Sequence, residues 1–109
     1  MEKIPALLIL ANDLQRAGEF AASRKCYQQY LEEYPGTCLC YKALFEVADN
    51  YFYEKEKEKA RKAYGDFLAY CKEKPPATEE EIGWVKAYTA LSKSRLKTLG
   101  SFKTPGRRL

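Results

Sequence analysis

Ala17-Gly18-Glu19-Phe20, then Cys26-Tyr27-Gln28-Gln29-Tyr30-Leu31 with Tyr34-Pro35 behind it, is the stretch on which the reading of this chain turns. It has a second version in Lys59-Ala60-Arg61-Lys62-Ala63-Tyr64 followed by Phe67-Leu68. Tyr27 and Leu31 recur as Tyr64 and Leu68, 37 residues later. The flanking segments repeat as well. Leu44, Val47, Ala48 and Tyr51 recur as Trp84, Ala87, Tyr88 and Leu91 at a spacing of 40, and Leu7, Leu10, Ala11 and Leu14 fit the same pattern 37 residues earlier. Apolar residues at i, i+3, i+4 and i+7 share one face of a helix. Three copies of one face at similar spacing exceed what generic amphipathicity supplies.

Working outward, the pattern predicts five helices over 4–17, 20–34, 38–53, 56–74 and 79–99. Pro5 is tolerated in a first helical turn, where its missing N–H has no intrahelical acceptor to serve. Gly18-Glu19 and Pro35-Gly36 are turns. The mixed run Glu54 to Lys59 reads as a solvated turn and helix start. Pro75-Pro76 ends the fourth helix. Thr78 before Glu79-Glu80-Glu81 fits an N-cap with an acidic first turn, and Gly100 is a stop signal. Strand-like alternation is absent, so the fold class is all-α. Residues 1–100 read as one domain and 101–109 as a flexible basic tail.

At 109 residues the chain suits a single domain, and 46% hydrophobic residues are enough for a core. The formal charge of +4 is unevenly placed. Residues 1–81 carry −3 and the last 28 carry +7, with no acidic residue after Glu81. The longest apolar run, from Ile4 to Ala11, is too short to span a membrane or to serve as an export signal. The expected location is therefore cytoplasmic. That compartment argues for reduced thiols at Cys26, Cys38, Cys40 and Cys71 rather than disulfides. Cys38-Leu39-Cys40 supplies only two soft ligands, so no metal site and no cofactor is expected. There is no His, no Gly-rich phosphate loop and no base beside a candidate nucleophile, which argues against an enzyme and leaves no catalytic residue to name.

The helix-pair pattern resembles the tetratricopeptide repeat. Its first helix carries a large aromatic, a small residue and a second aromatic, and its second carries an Ala, an aromatic and a terminal Pro. Trp84 stands in the large aromatic slot of the third copy, Ala60 and Tyr64 in the second-helix slots, and Pro35 at the terminal position. Ser23 replaces that Ala in the first copy. The small slot holds Ala11, Ala48 and bulky Tyr88, and the spacings exceed the usual period of about 34. The resemblance covers residues 4–99 and implies a right-handed stack of antiparallel helix pairs, an α-solenoid of about two and a half repeats capped by the fifth helix. A plain five-helix bundle stays open, because periodicity does not separate the two.

In such repeats the first helices of the pairs line a concave groove that holds a partner peptide or helix. The matching positions here are Leu8, Asn12, Gln15 and Arg16 on the first helix, then Lys42, Phe45, Glu46, Asp49, Phe52 and Tyr53 on the third. On the fifth they are Val85, Lys86, Thr89, Ser92 and Lys93. The partner-binding expectation rests on Asn12, Arg16, Lys42, Phe45, Glu46, Asp49, Phe52, Tyr53, Lys86 and Lys93. Phe45, Phe52 and Tyr53 lie off the main stripe and would give an apolar groove rimmed by charge, unless the neighbouring helices bury them. A carboxylate clamp for a peptide C-terminus is incomplete: Asn12 and Lys86 fit, but Leu8 and Glu46 stand where Lys and Asn are needed.

On the fifth helix, Lys86, Lys93 and Lys97 form a basic ridge, while Trp84, Tyr88, Leu91 and Leu99 form the apolar side with Arg95 near its middle. Three functions follow. The first is a non-enzymatic adaptor, scaffold or chaperone-like module for a protein or peptide partner. The second is a homo-oligomer joined through terminal helix faces. The third, with the thinnest footprint, is a nucleic-acid or anionic-membrane binder acting through the basic end.

Overall fold

The computed structural model describes the backbone of residues 5–107 and the side chains of residues 5–100. Within them the chain forms five helices and no strand: α1 (Ala6–Arg16), α2 (Phe20–Glu33), α3 (Leu39–Tyr53), α4 (Lys57–Glu73) and α5 (Glu79–Arg107). The fold is all-α, as the periodicity requires. Neighbours in sequence pack together from α1 through α4, and α5 lies against both α3 and α4. The side chains of the predicted basic tail fall outside the described residues. Its backbone continues α5 through Gly100 to Arg107, past the predicted stop.

The turns explain why two helix pairs come out alike. At the end of α1, Gly18 N–H donates to Gln15 O at 3.0 Å and Glu19 N–H to Leu14 O at 2.8 Å. At the end of α3, Lys55 N–H donates to Phe52 O at 3.1 Å and Glu56 N–H to Tyr51 O at 3.0 Å. Both are Schellman turns, which close the orphan carbonyls of a helix end through one left-handed residue. Gly18 takes φ +84° and Lys55 takes φ +71°. These two residues are 37 apart, so the turn repeats with the period of the sequence. At the other end of the domain Thr78 caps α5: Glu81 N–H donates to Thr78 Oγ1 at 3.1 Å, and the Glu81 side chain accepts from Ala77 N–H at 2.9 Å. Thr78 is thus the N-cap that the acidic first turn announces, and Glu81 also holds the residue before it.

Burial falls into two clusters that share α3. Leu8, Ala11, Tyr27, Tyr30, Cys40, Ala43 and Val47 join α1, α2 and α3. Tyr41, Phe45, Ala48, Ala60, Tyr64, Phe67 and Leu99 join α3, α4 and α5. Small side chains sit where helices approach. Ser23 is fully buried and its hydroxyl donates to Ala11 O of α1 at 2.7 Å, so the polar residue in this small-residue slot is satisfied across the helix pair. Ala60 fills the same slot in the second pair and is also fully buried.

The left-handed Lys55 gives a test. A residue with a Cβ in that region costs about 1–2 kcal/mol, part of which a glycine returns as unfolded-chain entropy. Lys55→Gly should therefore raise stability by about 0.5–1 kcal/mol. Gly18→Ala should lower it by a similar amount, although a Cβ there meets nothing within 4 Å. Thermal unfolding of the two variants checks both signs.

Candidate partner-binding surface

The central part of the predicted groove is closed by α5. Phe45 is only 3% exposed. Its ring stacks on Tyr88 at 4.5 Å and meets the rings of Tyr64 and Phe67 at 6.0 Å each. A groove position next to a small-residue slot would be open, but Tyr88 fills that slot with a full aromatic ring, so Phe45 becomes core. Asp49 is likewise withdrawn from any partner. Arg95 donates to it from Nε to Oδ1 at 3.0 Å and from Nη2 to Oδ2 at 3.2 Å, and Tyr64 donates its hydroxyl to Oδ1. The expectation that Phe45 and Asp49 contact a partner is thus corrected: they hold α3, α4 and α5 together.

The same contacts correct the orientation of α5. Spacing alone placed Ala87 and Leu91 on its packed stripe, yet both are exposed, and burial centres on Glu81, Ser92 and Leu99. The helix is turned so that Arg95, set in the middle of the apolar side, reaches Asp49. Its guanidinium also lies 4.9 Å over the Phe52 ring and 5.8 Å from Tyr53, and donates to Tyr53 Oη at 3.3 Å. The hydrogen bond to Asp49 holds Arg95 still more firmly in its charged form.

A matching polar contact fastens the first helix pair. Arg24 of α2 donates to Asn50 Oδ1 and to Glu54 Oε1, each at 2.6 Å, and lies 4.1 Å over the Tyr51 ring. Asn50 donates onward to Gln15 Oε1 of α1 at 3.1 Å. Gln15 is therefore partly engaged from within the fold.

The remaining predicted residues divide into two places. Asn12 is half-buried on α1, and Lys42 pairs with Glu46 one turn away on α3 at 3.2 Å. Leu8 is core. Lys86 and Lys93 are exposed on α5. By contrast, Arg16, Phe52 and Tyr53 come together at the end of the stack where α1 and α3 finish. A cleft of about 560 Å³ is lined by Gln15, Arg16, Gly18, Phe20 and Tyr53. A second, of about 320 Å³, is lined by Phe52, Tyr53, Lys55, Lys57, Thr98 and Leu99. Tyr53, half exposed, belongs to both. The lining is aromatic and cationic, with no carboxylate in either set.

Phe20, Lys55, Lys57, Thr98 and Leu99 were not nominated as contact residues, because a helix-by-helix wheel looks along the groove and not at the ends of the stack. Their signal was the repeat itself, since Gly18 and Phe20 align with Lys55 and Lys57 at the 37-residue spacing.

Among the described residues no group of three His, Cys, Asp or Glu side chains is placed to hold a metal ion, and no helix is long and apolar enough to cross a membrane. All four cysteines are free thiols. The Cys40 thiol donates to Tyr34 O at 3.1 Å, and burial pushes the Cys71 thiol up.

With the helix pairs, their repeated turns and the small-residue slots established, comparison with known families is decisive for the first pair. Residues 5–37 match the model of the tetratricopeptide repeat. Over those residues the chain is similar to a tetratricopeptide repeat. No curated protein and no solved structure matches it. Tetratricopeptide repeats are generally protein-interaction modules without catalytic activity of their own. The structure extends the helix-pair pattern of that first repeat to α3–α4, with α5 laid across the second pair.

Two outcomes follow. Asp49→Ala leaves the Arg95 guanidinium, a quarter exposed, without its carboxylate and should cost about 2–3 kcal/mol in urea unfolding. Asp49→Asn, which keeps one acceptor, should cost less. The second outcome concerns alkaline pH. Burial raises the phenols of Tyr27, Tyr64 and Tyr88 well above their usual value, helped at Tyr64 by its hydrogen bond to Asp49, and pushes Tyr70 up to about 12. An unfolded chain releases those protons near pH 10 while the folded chain keeps them. The unfolded state then binds fewer protons, so stability is intact below pH 10 and falls as pH rises above it. Urea midpoints at pH 9 and pH 11 should differ in that direction, and Tyr64→Phe should shrink the difference.

Proposed function

We propose that this protein is a non-enzymatic interaction module that grips a partner polypeptide at the Tyr53 end of the stack. The observation that carries the reading is the meeting of two clefts at a half-exposed tyrosine, bounded by Phe20 and Phe52 and by the cations Arg16, Lys55 and Lys57. Exposed aromatics beside Arg are the side chains that anchor protein interfaces, because they give large contact area at low entropic cost. A cleft of about 320 Å³ has room for one large apolar side chain. The lining charges favour an acidic residue beside that anchor.

This places recognition at the end of the helix stack instead of along its concave side. Of the residues the sequence nominated, Arg16, Phe52 and Tyr53 take the contact role. Asn12, Lys42 and Glu46 sit outside the two clefts. A second reading, self-association, is favoured by one observation: Ile9 and Leu10 are each about half exposed on the outer face of α1.

Site-directed photocrosslinking tests both. A photoreactive residue at Tyr53 should capture a discrete partner, and the same residue at Lys62 on α4 should not. Arg16→Glu should reduce the Tyr53 adduct several-fold without changing helicity. Equal adducts at the two positions, or none at Tyr53, would reject the end-of-stack site. An adduct of twice the chain's own mass would replace it with self-association.

A further inference from the structure

We infer that the outward face of α5 is a second docking surface, shaped for an acidic amphipathic helix of a partner protein. The surface has two strips. The first is a row of lysines: Lys86 and Lys93 are exposed, and Lys97 continues the row. At 1.5 Å and 100° per residue, the three lie within about 40° of arc along about 16 Å of helix. The second strip runs beside it. Ala87, Ala90 and Ser94 are exposed, and Leu91 is 41% exposed among them.

Among the described residues nothing covers this face. α3 is packed on both flanks, with Ala43 and Val47 in one cluster and Phe45 and Ala48 in the other. α5 is packed on one flank only, through Glu81, Ser92 and Leu99. Small side chains on the open flank let a second helix axis come close, since the distance between packed helices is set by the side chains at the contact. Leu91 supplies the knob that such a helix would cover.

Charge decides the occupant. No acidic residue follows Glu81 in the chain, so the charges that α5 carries beyond its first turn are all positive. Two α5 faces brought together would set lysines against lysines, and like charges across an interface are costly. A lipid surface is a poor fit, because Ile82 and Leu91 are the only exposed large apolar side chains among the described residues of α5 and interfacial helices need more. A helix with acidic residues at i, i+4 and i+11 beside an apolar seam, running antiparallel to α5, matches both strips at once. Duplex nucleic acid would meet the lysines but leave Leu91 without a role.

The test uses the full chain and a fluorescent helical peptide of about 20 residues, with leucines at heptad a and d positions and glutamates at c and g, which gives the i, i+4 and i+11 spacing along one flank of the seam. A matched peptide carries lysines in place of the glutamates. The acidic peptide should bind in an anisotropy titration, and the basic one should not. Lys86→Glu with Lys93→Glu should weaken binding by at least about tenfold, the size expected when attraction at a charged rim turns to repulsion. Lys86→Ala with Lys93→Ala should weaken it in the same direction, and Leu91→Ser should weaken it independently. Lys62→Ala, exposed on α4 and away from both surfaces, should leave it unchanged. Circular dichroism of each variant should match the parent, because all the changed residues are exposed. Equal binding of the two peptides, no binding of the acidic one, indifference to the double variants, or tighter binding of duplex DNA would each overturn the inference.

Discussion

Asp49 and Asn50 stand side by side on α3, and the arrangement of the other four helices depends on the angle between them. Adjacent helical residues point about 100° apart. One therefore faces α4 and α5 while the other faces α1 and α2. Asp49 takes the two hydrogen bonds of Arg95 and the hydroxyl of Tyr64. Asn50 takes Arg24 and gives to Gln15. Apolar burial in the two clusters supplies most of the cohesion, and it has no direction. The two polar residues add direction. They fix how far each flanking helix is rotated, because a buried polar group left without its partner is expensive. A helical stack built from repeats needs that device in its middle element, the only one among the described helices with buried residues in both clusters.

The repeat was legible because it is written in residue types that have one physical use each. Gly18 marks a left-handed turn, Thr78 an N-cap, Ala60 a close helix approach, and each does that here. Lys55 was not legible as a turn residue, since nothing in a lysine announces a positive φ; only its position 37 residues after Gly18 does. The rotation of α5 was missed for a related reason. A 40-residue spacing aligned Trp84, Ala87, Tyr88 and Leu91 with a packed stripe, but spacing treats every apolar residue as equal. Arg95 carried the correction, because a cation in the middle of an apolar side needs a buried carboxylate opposite it. That carboxylate, Asp49, had been read as a groove residue.

Closure of the groove changes where contact chemistry can happen. In a longer stack the concave surface is wide, and recognition spreads along several first helices. Here Tyr88 and Phe45 fill the middle of it, and the lysine and glutamate nearest the surface, Lys42 and Glu46, satisfy each other. Both surfaces proposed for a partner lie at the stack's perimeter: the clefts around Tyr53 and the outward side of α5. The two differ in character. The first is concave, aromatic and bounded by the ends of helices, so it suits a side chain. The second is long and nearly straight, so it suits another helix.

The sole tryptophan of the chain sits on α5, its ring parallel to Tyr88 at 5.4 Å and 13°. Tyr88 in turn covers Phe45. The aromatic column thus runs from the outer helix into the shared core, and its one strongly fluorescent member is at the outer end. The protein carries an intrinsic optical gauge of whether α5 is seated. Emission from Trp84 will follow the docking of that helix separately from the melting of the first pair, which contains no tryptophan. The seating of the cap is therefore open to optical detection in the unlabelled chain.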